Sequence, residues 1–174
     1  NIRVIGMGGS ILGTQAIYDF LKFKIKKNFS FVNNLQPNYI IEKKKKFLNL
    51  IVSKSGDTTE TIVNSNLLIK KKDKNLFITE NKKSYLYLLA NKLKAEVIHH
   101  NNFIGGRYSV LSEVGMLPAE LMGLKSNYFK QFNNLIKDKK FLNSLISNVC
   151  SILYFTNTKK FNSILINYDN ESKN

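Results

Sequence analysis

Short runs of Ile, Val, Leu and Phe recur along the chain, separated by longer stretches in which apolar residues return every three or four positions. The short runs have the length and the β-branched, aromatic content of strands, and they predict strands near 2–7, 29–33, 47–53, 75–79 and 96–100. The longer stretches predict helices at roughly 11–25, 36–45, 58–72 and 82–94. Strand and helix alternating in this way describe parallel strands joined by crossover helices, an α/β fold of three layers with a doubly wound, mainly parallel five-stranded sheet. A further helix is expected after the fifth strand, kinked or interrupted at Pro118, which has no backbone N–H. From 125 to 160 the pattern is helical, with Phe129, Phe132, Leu135 and Ile136 on one stripe, and 162–169 resembles another strand. No repeat or low-complexity linker divides the chain, so residues 1–174 read as a single domain. Its ending soon after a strand suggests a fragment of something longer.

Composition adds limits. The 174 residues, 43% hydrophobic, can bury a sizeable core, and 11% aromatics argue against general disorder. No apolar run approaches the ~20 residues of a membrane span, and no leader is read at the amino end. Cys150 is the single cysteine, so no internal disulfide forms; we expect a small buried hydrophobe and a reducing, cytoplasmic setting. The net charge of +15 raises nucleic-acid binding as a further reading. Against it, all but two of the 27 basic residues are lysines in scattered runs, without the interleaved aromatics that stack bases. Arg3 and Arg107 are the two arginines, so the placement of each is informative.

In a parallel sheet covered on both faces, ligands bind beyond the carboxyl ends of the strands, near the switch in strand order. After the first strand comes "GMGGSILG", residues 6–13. Glycines here let backbone N–H groups approach an anion, and the following helix adds its positive end. A dinucleotide site is disfavoured, because position 11 of the glycine template is Ile11 and the second strand ends in Asn33 instead of an acid. What remains is a small anion held by backbone amides and Ser10; the bland alternative makes Ser10 a helix cap. After the third strand comes "SKSGDTTET", residues 53–61, rich in hydroxyls suited to phosphate oxygens. A capping box of Asp57 with Glu60 is also expected there. It leaves Ser53, Ser55 and Thr58 unexplained. Two such loops on adjacent strands can converge on one phosphate. After the fifth strand, Gly105 and Gly106 bring Arg107 forward, where a fixed guanidinium can stabilise a developing negative charge. The alternative for Arg107 is a surface cation capping a helix or pairing with Glu113.

These three segments, in this order, resemble sugar isomerase (SIS) domains. "GMGGSILG" and "SKSGDTTET" look like the family's two phosphate loops, and "GGRYSVLSEVGMLPAEL" resembles the corresponding segment of the glucose-6-phosphate isomerase family. The resemblance covers about residues 1–124 and weakens from there to 168. It implies the flavodoxin-like SIS fold, and the amino-terminal one of two such halves. By it, Gly8, Gly9, Ser10, Ser53, Lys54, Ser55 and Thr58 form the phosphate site. Arg107 would serve catalysis beside C1 and C2 as a proton moves through an enediolate. The implied substrate is a hexose 6-phosphate, interconverted between glucose and fructose forms in glycolysis and gluconeogenesis, with a homodimer as the working assembly. No metal, cofactor, nucleic acid or membrane is implied.

The family's remaining machinery, a glutamate base, a histidine from the partner subunit and a lysine acid, lies beyond the matched segment. Glu171 in the tail follows its strand too closely to be that base, and His99 and His100 read as strand-end residues. Alone, then, the chain is expected to be inactive. The second reading is a non-catalytic SIS module that binds a phosphosugar for regulation.

Overall fold

The structure, a computed structural model, describes residues 1–35 and 46–159. The helix expected at 36–45 and the strand expected at 162–169 lie outside the described residues. The chain forms two compact units, Asn1–Leu124 and Lys125–Asn174.

In the first unit the five expected strands form: β1 (Ile2–Ile5), β2 (Phe29–Val32), β3 (Leu48–Val52), β4 (Lys74–Thr79) and β5 (Glu96–His99). All pairings are parallel, and the spatial order is β2-β1-β3-β4-β5. Ile5 stands beside Val32 on one side and Ile51 on the other, and Ile51 beside Phe77. The sheet is buried on both faces, which is why its strands read as continuous apolar runs. Successive residues serve opposite faces. Ile5, Ile51 and Phe77 join Leu68, Leu86 and Ala90 in one core cluster, whereas Val4, Leu50, Val52 and Ile78 join Ile11 and Val114 in the other.

Four helices flank the sheet: α1 (Leu12–Leu21), α2 (Thr59–Leu68), α3 (Tyr85–Leu93) and α4 (Glu113–Leu121). Leu68, Leu86 and Ala90 come from α2 and α3; Val114 comes from α4, and Ile11 immediately precedes α1. Three layers result. The strand order reverses between β1 and β3, so the crevice beyond their carboxyl ends is the expected ligand site of such a sheet.

The helix is not interrupted at Pro118, which lies inside α4. Its missing N–H leaves the Val114 carbonyl without a helical donor, and the buried Thr14 hydroxyl of α1 donates to that oxygen at 3.2 Å. Arg3 is likewise internal. It lies over the Phe47 ring at 3.8 Å and donates to Asn49 Oδ1 and the Leu68 carbonyl, each at 3.4 Å.

The second unit holds a 3-10 turn at Ser126–Phe132, then α5 (Asn133–Lys137) and α6 (Lys139–Asn157). Within the helical pattern expected from 125 to 160, the chain restarts at Asp138, whose Oδ1 accepts from the N–H groups of Lys140 (2.8 Å) and Phe141 (3.2 Å). Cys150, expected to be buried, is exposed on α6. Leu145 and Val149 of the same helix are about half exposed as well. No described helix is long and apolar enough to cross a membrane.

Candidate functional site

Four of the five strands end one or two residues sooner than the apolar runs suggest, β4 ending at Thr79 as expected, so Gly6, Ser53 and His100 already belong to the loops. The loop after β1 runs through a 3-10 turn at Gly8–Ser10 into α1. Ser10 does not cap that helix: the capping position is Ile11, with no side-chain bond, and the Ser10 hydroxyl has no partner among the described residues.

The loop after β3 is built from its own hydroxyls. Ser53, buried, accepts from the Gly56 N–H at 3.2 Å and meets Thr58 Oγ1 at 2.9 Å. Ser55 Oγ accepts from the Asp57 N–H at 3.2 Å and lies 3.5 Å from Thr58 Oγ1. Thr58 is the capping residue of α2, although its side chain caps nothing. The expected Asp57–Glu60 capping box is absent. Asp57 Oδ1 accepts instead from the Tyr85 N–H at 2.8 Å, capping the neighbouring α3, and the Gly56 carbonyl accepts from Leu86 at 3.0 Å. Gly56 has φ +71°, and a Cβ there would strike Ser84. The loop is thereby stitched to the start of α3. The first N–H groups of α2 are left without helical partners, and the helix dipole adds positive potential beside the Ser55 and Thr58 hydroxyls.

The loop after β5 carries Arg107 in a 3-10 turn at Gly106–Leu111. This turn packs on the first loop so closely that a Cβ on Gly9 would collide with the Gly106 carbonyl and the Arg107 nitrogen. Ser109 Oγ reinforces the junction, donating to the Gly106 carbonyl at 2.7 Å and lying 3.4 Å from that of Gly9. The second junction runs through Lys54. Its ammonium donates to the carbonyls of Asn102 and Ile104, both at 2.9 Å, and pairs with Glu80 at 3.4 Å. Loops from β1 and β3 both engage the Arg107 loop, one through backbone and one through a lysine.

Arg107 is exposed, and no hydrogen bond or ion pair engages its guanidinium among the described residues. The alternative of pairing with Glu113 is overturned, because Glu113 Oε1 contacts His100 Nδ1. Partial burial pushes the Glu113 carboxyl up. Its own N–H, the His100 ring, the Asn101 N–H and the His100 charge outweigh that and hold it below its ordinary value. His99 closes β5 as expected, whereas His100 is a buried loop residue with Nε2 3.1 Å from the Ile104 carbonyl. Sequence reasoning missed this pair, since nothing in residue type alone joins positions 13 apart across a loop. Among the described residues no group of His, Cys, Asp or Glu is arranged to hold a metal ion.

A parallel α/β domain with its loops gathered at the reversal in strand order is the architecture seen in sugar isomerase domains. The tagatose-6-phosphate ketose/aldose isomerase of Escherichia coli superposes with a TM-score of 0.60 at 19% identity, over 83% of this chain and 42% of that one, which establishes the shared fold. The chain belongs to the phosphoglucose isomerase family, whose family model matches residues 1–168. It is 37% identical to the glucose-6-phosphate isomerase of Acholeplasma laidlawii over 71% of this chain and 34% of the relative. With the glucose-6-phosphate isomerase of Methanocaldococcus jannaschii it shares 38% identity over 71% of this chain and 33% of the relative. The chain therefore spans about a third of the length of these curated relatives.

Proposed function

We propose that the chain supplies the sugar-phosphate-holding part of an enzyme that interconverts glucose 6-phosphate and fructose 6-phosphate. The observation that carries this reading is the meeting of three loops at one rim of the sheet, with Gly9 against Gly106 and Lys54 against Ile104. In the proposed complex the Ser10, Ser55 and Thr58 hydroxyls, the backbone of Gly8, Gly9 and Lys54, and the amino end of α2 receive the phosphate oxygens. Ser53 acts through Thr58, whose hydroxyl it holds at 2.9 Å. The Lys54 ammonium is committed to Glu80 and two carbonyls, so its contribution to the ester is through the backbone.

With the ester fixed there, Arg107 stands over the carbons that react. Moving a proton between C1 and C2 passes through an enediolate, whose negative charge a guanidinium stabilises without losing its own proton. The carboxylates near the loops are otherwise employed. Glu80 pairs with Lys54 and Lys82, Glu113 pairs with His100, and Glu60 sits in the first turn of α2. The base of the reaction is accordingly assigned to residues outside those described, and the working assembly to a homodimer.

The test is ligand-linked stability. Fructose 6-phosphate at about a hundred times its dissociation constant should stabilise the fold by about 2.7 kcal/mol. The double variant S55A/T58A should lose that shift while remaining folded. A midpoint unmoved by any hexose phosphate would defeat the reading.

A further inference from the structure

The loop that presents Arg107 is closed by a pair of side chains that take no part in the proposed phosphate site. His100 leaves β5, Glu113 opens α4, and Arg107 lies between them. The His100 ring is 1% exposed and has an acceptor at each nitrogen: the Glu113 carboxylate at Nδ1 and the Ile104 carbonyl at Nε2. A neutral imidazole has a single N–H and can serve only one of them; the imidazolium serves both. Glu113 Oε1 also accepts from the Asn101 N–H at 3.3 Å, so this carboxylate gathers the start of the loop onto the helix that follows it. The Ile104 carbonyl, one residue before the glycines, is held from two sides, by His100 and by Lys54 of the β3 loop. Arg107 itself is exposed and its guanidinium is engaged by none of the described residues, so its position depends on the loop.

We propose that His100 and Glu113 form a clasp whose task is to position Arg107 over the sugar end of the crevice. They are positioning residues, acting through the loop backbone and not on the substrate. The inference rests on the phosphosugar reading for its consequence, although the clasp itself can be measured without ligand. The partly exposed Glu113 is the better member to change, since removing His100 would open a buried hole.

Two measurements on the chain decide the matter. Without ligand, amide hydrogen exchange at Tyr108, whose N–H donates to the Gly105 carbonyl at 2.9 Å, should quicken in E113A and E113Q while Gly56 and Leu86 keep their protection. Unchanged exchange at Tyr108 in both variants would overturn the clasp. With ligand, calorimetry compares fructose 6-phosphate and inorganic phosphate on the native chain, R107A, E113A, E113Q and R107A/E113A. R107A should weaken fructose 6-phosphate about tenfold, the scale of one charge-assisted hydrogen bond, and leave inorganic phosphate untouched. E113A should reproduce most of that loss, and the double variant should be no worse than R107A alone. Losses that multiply would make Glu113 independent of Arg107 and sink the positioning role. A native chain that binds neither ligand would remove the phosphosugar reading instead, with the exchange result still deciding the clasp.

Discussion

At the scale of single residues, the site depends on what is missing as much as on what is present. Gly9 lacks the carbon that would strike the Gly106 carbonyl, so G9A must separate the first loop from the Arg107 loop. Being at a surface loop, it should cost only about 1–3 kcal/mol of stability, the scale of strain at a packed backbone contact, yet it should remove most of the hexose-phosphate affinity. Full affinity in G9A would show that the junction is dispensable. The glycine-rich turn was legible in the sequence as a seat for an anion, but its packing on the Gly106 loop was not, nor was the Glu113–His100 pair. That pair has its own signature in acid. Because the folded Glu113 carboxyl titrates below its unfolded value, its contribution is complete above the ordinary glutamate range, near about pH 4.3. It fades as pH falls through the lower folded value. Unfolding midpoints measured downward from neutral pH should therefore drop more steeply for the native chain than for E113Q below about pH 4.3. Parallel acid limbs would refute the assignment.

At the scale of elements, the strands were legible because both faces of the sheet are covered, leaving no polar positions to disguise the runs at Val4–Ile5, Leu50–Val52 and Phe77–Ile78. Helix ends were less so, for a physical reason: a cap can be recruited from another loop. Asp57 has the spacing of a local box with Glu60, yet its carboxylate serves Tyr85, 28 residues away. Pro118 teaches the same lesson. Locally it should interrupt α4, but the carbonyl it strands finds the Thr14 hydroxyl, 100 residues distant in sequence. T14V keeps the shape and removes that donor, so it should cost about 1–3 kcal/mol, the penalty of an unpaired buried carbonyl. In P118A the new alanine N–H can take the carbonyl itself, and the added cost of T14V should shrink towards zero. Chemical denaturation of the four proteins gives the coupling directly. Equal costs in both backgrounds would mean that Thr14 stabilises the helix by some route other than this bond.

At the scale of the molecule, a charge of +15 on 174 residues sets the terms. Glu80 meets Lys54 and Lys82, and Glu113 meets His100. With 27 basic residues against 12 acidic ones, self-repulsion works against the compact state. Salt screens exposed charges over about 10 Å at 0.1 M, so sodium chloride should raise the unfolding midpoint, most steeply below that concentration. The rise should be the same in S55A/T58A, since screening does not depend on any one loop. Inorganic phosphate at matched ionic strength should add a further shift in the native chain alone, because an anion on built donors stabilises by occupancy and not by screening. The two ions thus separate the general consequence of a lysine-rich surface from the particular one of the hydroxyl-bearing loops. A midpoint that falls with chloride would show ion pairing to outweigh repulsion. Chloride and phosphate acting alike on native and variant would leave the loops with no special claim on a phosphate.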